Sequence, residues 1–95
     1  MQTYTPDQIQ AALKTLPNWS HDTQTNELVC ERTLENFSQA FGLMCQIALI
    51  AEAQNHHPTL SNTYSSLSLR LSTHDAGGIT QKDLDFAAQV EALLT

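Results

Sequence analysis

Ser66-Leu67-Ser68-Leu69-Arg70-Leu71-Ser72 sets a leucine at every second position, with serine or arginine between. Successive side chains of a strand point to opposite faces, so this stretch predicts a strand with one apolar and one polar side. The segment from Asn62 reads as a shorter strand, with a turn near Ser65-Ser66 joining the two. Strands joined by so short a turn pair antiparallel, and an apolar face on one side only calls for a covering layer of helices there.

The two flanks supply that layer. Upstream, Asn36-Phe37-Ser38-Gln39 has the spacing of a capping box, and the helix behind it is expected to run to about Gln54. Phe37, Phe41, Met44, Ala48 and Ala51 form one apolar stripe along it, and Ala40, Leu43, Ile47 and Ile50 form a second. Two stripes exceed what one sheet face needs, which implies burial on two sides, by neighbouring helices or by another subunit. Pro58 is expected to end this helix, leaving His56-His57 at its carboxyl end. Downstream, the strand parity puts His74 on the polar side, Asp75-Ala76-Gly77-Gly78 reads as a loop, and Thr80-Gln81-Lys82-Asp83 starts the last helix. Its inner stripe is expected to be Phe86, Ala87, Val90, Leu93 and Leu94.

Nearer the start, Thr5-Pro6-Asp7-Gln8 combines an N-cap threonine, proline at the first helical position and glutamine placed to bond back. Ile9, Ala12, Leu13 and Leu16 continue it as a stripe of about three turns, ended by Pro17-Asn18. Trp19 to Leu34 reads as a hairpin about the turn-formers Asp22–Asn26, with Trp19 in the core or covering the sheet. One face of its second strand carries Leu28, Cys30, Arg32 and Leu34, where Arg32 is out of place. The order α-β-β-α-β-β-α then predicts an α+β fold: a four-stranded antiparallel sheet with three helices packed on one face.

Ninety-five residues without linker, repeat or charge block make a single domain, 1–95. Four Lys+Arg against ten Asp+Glu leave a formal charge of −6, which disfavours direct contact with nucleic acid or anionic membrane. The longest nearly apolar run, Ala40 to Ala51, is far too short to span a bilayer. The opening MQTYTPDQIQ carries no basic region before an apolar one, so a cytoplasmic location is expected, with Cys30 and Cys45 reduced and buried.

Chemistry-bearing residues cluster at His56-His57 and at His74. Glu52 lies one helical turn before His56, and Asp83 stands in the first turn of the last helix. A helix end and a strand end are expected to bring all five to one sheet edge. Imidazole exchanges protons near neutral pH, and a helix carboxyl end with Glu52 beside it suits His56 to act as an acid. The competing readings are ordinary surface histidines, or a zinc or copper site built from the three histidines and a carboxylate. Gly77-Gly78 reads as a tight turn rather than an anion cradle, and neither cysteine sits where a nucleophile would.

The run Glu52-Ala-Gln-Asn-His56-His57-Pro58, followed by Tyr64, His74 and Asp83, resembles the pterin-4a-carbinolamine dehydratase family. The stretch Asn36-Phe-Ser-Gln-Ala-Phe-Gly-Leu-Met and the position of Trp19 carry the likeness over most of the chain. The resemblance implies a cytoplasmic hydro-lyase that removes water from a 4a-hydroxytetrahydropterin, recycling the pterin cofactor of aromatic amino-acid hydroxylases. It implies the same α+β fold, a homodimer or homotetramer, and no cofactor or metal, since the pterin is the substrate. His56, His57 and His74 would be the catalytic residues, with Glu52 and Asp83 in support. Pro58, Thr73, Asp75 and Ala76 would join the histidines in binding substrate, the strand end and loop through backbone hydrogen bonds to the pterin's amide edge. Leu60, Asn55 and Lys82 stand where many relatives have tryptophan, aspartate and arginine, which touches the pocket wall rather than the acid–base set. The alternative on the same fold is a non-catalytic protein-binding module, an assembly factor or transcriptional cofactor.

Overall fold

The computed structural model describes residues 2–94, so Met1 and Thr95, the two ends of the predicted domain, lie outside the described residues. Its elements are α1 (Pro6–Leu13), β1 (Trp19–Asp22), β2 (Glu27–Thr33), α2 (Phe37–Gln54), β3 (Thr59–Thr63), β4 (Ser66–Leu71), a 3₁₀ turn (His74–Ala76) and α3 (Gln81–Leu94). The four strands form one antiparallel sheet in the order β1-β2-β4-β3. The predicted order α-β-β-α-β-β-α is the observed one.

The register explains why all helices share one face. Trp19, Cys30, Leu69 and Leu60 form one row across the sheet, and Leu28 and Leu71 pair in the next. Cys30, Leu28, Leu67, Leu69 and Leu71 are at most 1% exposed, while their strand neighbours Glu31 and Ser66 are exposed. Against this apolar face pack Ile9 of α1, Ile47 and Ala51 of α2, and Phe86, Ala87 and Val90 of α3. Arg32 does lie on the core side, opposite Leu67, but at the last row. Its guanidinium donates to Asn18 Oδ1 at 2.8 Å, and Asn18 in turn donates through its backbone to the buried Glu91 carboxylate. A charge at the rim is tolerated because it reaches a polar partner.

Several boundaries differ from expectation for identifiable reasons. Helix α1 stops at Leu13, about one turn short, yet Leu16 stays buried through a following turn. Helix α2 ends at Gln54 as expected, but Asn55, in the left-handed region at φ 51°, ends it rather than Pro58. His56 N–H bonds to Ala51 O and Asn55 N–H to Glu52 O, the paired closure of a Schellman turn. Freed three residues before the proline, the chain begins β3 at Thr59 instead of Asn62, and Tyr64 takes the left-handed position of the β3–β4 turn. Leu93 is 40% exposed, and the inner side of α3 is completed instead by Leu84 and by Asp83 and Glu91. Cys30 is buried, but Cys45 is exposed. Of the two apolar stripes on α2, Ala40 and Ile47 of one and Ala51 of the other are buried, whereas Phe37 and Phe41 are exposed, as is Leu49, which belongs to neither stripe.

Candidate active site

The β3–β4 register builds the site. Thr59 lies opposite Arg70, so the residues just before β3 are brought beside the residues just after β4. The tail of α2 therefore meets the tip of β4 at one end of the sheet. There His56, His57 and His74 line a single open cavity of about 330 Å³, together with Asn55, Ser72, Thr73, Asp75 and Lys82. Pro58 and Ala76, expected among the contacts, are not part of this wall. A separate hollow on the open face of the sheet, near the β3–β4 turn, touches none of the three histidines.

Asp83 organises the inner wall. Its side chain is fully buried, and Oδ1 lies 2.6 Å from His56 Nε2. Its other oxygen accepts from the Thr73 hydroxyl at 2.8 Å and from the Thr80 backbone N–H at 2.9 Å. The two threonine hydroxyls lie 2.7 Å apart. A carboxylate only accepts, so the hydrogen between His56 and Asp83 sits on Nε2, which leaves Nδ1 of His56 to exchange a proton. The Phe86 ring packs edge-on against His56, with centroids 6.3 Å apart, and closes the apolar side.

Glu52 was expected beside His56. Its Oε1 instead lies 2.9 Å from His57 Nε2, and both side chains are exposed. The cause is the left-handed Asn55, which ends the helical spiral so that the next residue, His56, turns inward to Asp83. Glu52 thus orients His57, and Asp83 alone of the two carboxylates holds His56.

His74 opens the 3₁₀ turn and is exposed. Gly77, at φ 76°, closes that turn, and Gly78 pairs with Thr73 in a tight reversal, as the glycine pair implied. Two backbone donors expected to face a ligand are already committed: Thr73 N–H bonds to Gly78 O and Ala76 N–H to Thr73 O. Thr73 acts instead through its buried hydroxyl. That role, and the role of Thr80, were not read from the sequence, although Thr80-x-x-Asp83 is a spacing at which a side chain bonds back to the start of a helix. Among the described residues, no three His, Cys, Asp or Glu side chains gather closely enough to hold a metal ion.

The fold and site thus define a small α+β domain with histidines and a buried carboxylate around a ligand-sized opening at the sheet's end. The family model described as pterin 4 alpha carbinolamine dehydratase matches residues 2–93, and the chain belongs to that family. A relative from Prochlorococcus marinus, named "Putative pterin-4-alpha-carbinolamine dehydratase", is 43% identical over 86 residues, 90% of this chain and 88% of its own. One of the same name from Rhodopseudomonas palustris is 39% identical over 89 residues, 94% of this chain and 88% of its own. Among solved structures, a transcriptional coactivator/pterin dehydratase from Brucella melitensis superposes with a TM-score of 0.93 at 31% identity, covering 99% of this chain and 100% of that one. A pterin dehydratase-like protein identified as a RuBisCO assembly factor in the alpha-carboxysome shares the fold alone, with a TM-score of 0.67 at 19% identity over 80% of this chain and 88% of that one.

Proposed function

We propose that this protein dehydrates 4a-hydroxytetrahydropterins to quinonoid dihydropterins. The C4a–oxygen bond breaks as the hydroxyl takes up a proton and leaves as water. The N5 proton departs, and its electron pair forms the C4a=N5 bond. One group must therefore donate a proton and another accept one. His56, fixed by Asp83, and His74, on the facing strand tip, are the acid–base pair, and His57, held by Glu52, binds and orients the substrate. Positioned groups of this kind typically contribute about 10²–10⁴-fold each.

The observation that supports this reading most is the convergence of three histidines from two elements on one cavity, one of them held by a buried carboxylate. The protein should accelerate the decay of freshly generated 4a-hydroxypterin. His56→Ala and His74→Ala should each slow the catalysed rate by about 10²-fold or more. A wild-type rate equal to that of buffer overturns the proposal.

In this reading the enzyme is cytoplasmic, requires no cofactor or metal, and recycles the pterin of aromatic amino-acid hydroxylases. It works as a homodimer or homotetramer. The outer stripe of α2 supports self-association, since Phe37 and Phe41 are 48% and 47% exposed, and Leu49, outside that stripe, adds a further apolar side chain that is 71% exposed. The same stripe favours a second reading, a protein-binding role of the kind named for the coactivator and the assembly factor. Recovery of one stoichiometric protein partner, unaffected by added pterin, would support it.

A further inference from the structure

Of the three histidines on the cavity, His56 and His57 each have a carboxylate within hydrogen-bond reach. Among the described residues His74 has no such partner, although it is one half of the proposed acid–base pair. It is exposed at the start of the 3₁₀ turn, so its place depends on the backbone that carries it. That backbone is closed by one reversal, in which Thr73 N–H bonds to Gly78 O at 2.9 Å and the two residues pair as an isolated bridge. A group that fixes Gly78 therefore fixes the turn.

The β1–β2 turn supplies such a group. Asn26 takes the left-handed position there, at φ 54°, which asparagine tolerates better than most residues. Its Oδ1 lies 2.8 Å from Nε2 of His21, the one histidine that the acid–base reading leaves unused. An amide oxygen only accepts, so His21 donates from Nε2 and the Asn26 amide is held in one orientation. Its nitrogen stands against Gly78: a methyl group placed on Gly78 would lie 3.1 Å from Asn26 Nδ2, inside ordinary van der Waals separation. Gly78 is buried and, unlike Gly77, lies outside the left-handed region. Close approach, not backbone angle, is what a side chain at this position would violate. The two turns also enclose a hollow of about 370 Å³ in which Asn26 and Gly78 stand beside His74.

We propose that Asn26, held by His21, is a positioning residue for His74, acting as a stiff wall against the Thr73–Gly78 reversal. The inference rests on the dehydratase reading for what His74 does, and on these contacts for how it is held. An amide tied at its oxygen cannot swing aside, so it limits the travel of the loop. A misplacement of about 1 Å in a reacting group can cost about 10²-fold, and the slack left by one missing amide should cost less.

The test is a double-mutant cycle between Asn26 and Gly78, read by kcat and KM for 4a-hydroxypterin and by the His74 imidazole resonance. Asn26→Gly keeps the left-handed turn and removes the amide. It should lower kcat about three- to tenfold, leave KM within about twofold, and shift the His74 resonance but not that of His57. Gly78→Ala should lower kcat by a similar factor when Asn26 is present, and by less than about twofold in the Asn26→Gly background. His21→Phe frees the amide without opening the turn; it should act in the same direction, and it replaces Asn26→Gly in the cycle if that variant does not fold. Effects that simply multiply in the double variant, a loss carried by KM instead of kcat, or a His74 resonance that does not move overturn the proposal. Absence of turnover in the wild type overturns the dehydratase reading alone, because the resonance still decides whether Asn26 positions His74.

Discussion

His56 and His57 are neighbours in sequence, and each places Nε2 within 3 Å of a carboxylate oxygen, 2.6 Å for His56 and 2.9 Å for His57. The two pairs are otherwise opposites. His56 and Asp83 are 11% and 0% exposed, and Asp83 is held by two further donors. His57 and Glu52 are 56% and 79% exposed, and among the described residues no third side chain hydrogen-bonds to them. A similar contact distance therefore conceals different physics. In water a charged pair is screened and its side chains lose entropy when fixed, so it contributes little. In a buried site the same contact fixes orientation, and removing either member leaves groups that nothing else can satisfy.

That contrast can be broken most directly at Asp83. Asp83→Ala leaves His56 Nε2, the Thr73 hydroxyl and the Thr80 N–H without their acceptor, and should cost about 3–5 kcal/mol. For a domain of this size the melting temperature should fall by more than about 12 °C in a calorimetric scan. Asp83→Asn keeps the shape but supplies a donor where the site needs an acceptor. It should lower kcat for dehydration about tenfold or more even where it folds. A neutral effect of both changes would mean that the buried pair is no more than a surface pair out of sight.

The exposed pair should respond weakly. Glu52→Gln should change stability by less than about 0.5 kcal/mol in denaturant titration and turnover by no more than about threefold. An effect as large as that of Asp83→Asn would reverse the assignment of which carboxylate orients the histidine proposed for acid–base work.

The smallest expected effect comes from a half-exposed cluster on the open face of the sheet. Arg70 Nη1 lies 3.1 Å from both Asp22 Oδ2 and Glu27 Oε1. The hydrogen bond from Arg70, joined by backbone donors of Thr25 and Gln24, holds the Asp22 carboxyl below its usual range. A carboxylate depressed in the folded state contributes stability above its unfolded value, near 3.9, and that contribution is lost as the pH falls through the lower folded value. Arg70→Met should therefore melt slightly lower than wild type at neutral pH, and the two melting curves should converge in acid. A gap that widens on acidification would contradict this sign.

The cysteines extend the lesson that neighbourhood, not residue type, sets behaviour. Both were expected inside, each within a partly apolar segment. Cys30 is inside because strand parity aims it at the helices, and burial pushes its thiol up to about 11. Cys45 is outside because α2 carries more apolar surface than one sheet face can cover. The two-stripe pattern indicated the excess and did not say which stripe would face the sheet.

Alternation in Leu67–Leu71, the cap at Thr5 and the left-over histidines sufficed for the element order, the single sheet and the end of the molecule where three histidines gather. These are local signals, since strand parity and capping depend on residues only a few positions apart. The partner of His56 was not local. Helical spacing pointed to Glu52, but one left-handed residue, Asn55, redirected the chain to a carboxylate twenty-seven positions away. The acceptors of Thr73 and Thr80, the committed backbone of the 3₁₀ turn and the lining of the histidine cavity depend in the same way on side chains meeting across elements. Periodicity reports which face a residue occupies. Only the packed structure decides what stands opposite it, because burial leaves each polar group the few partners within reach.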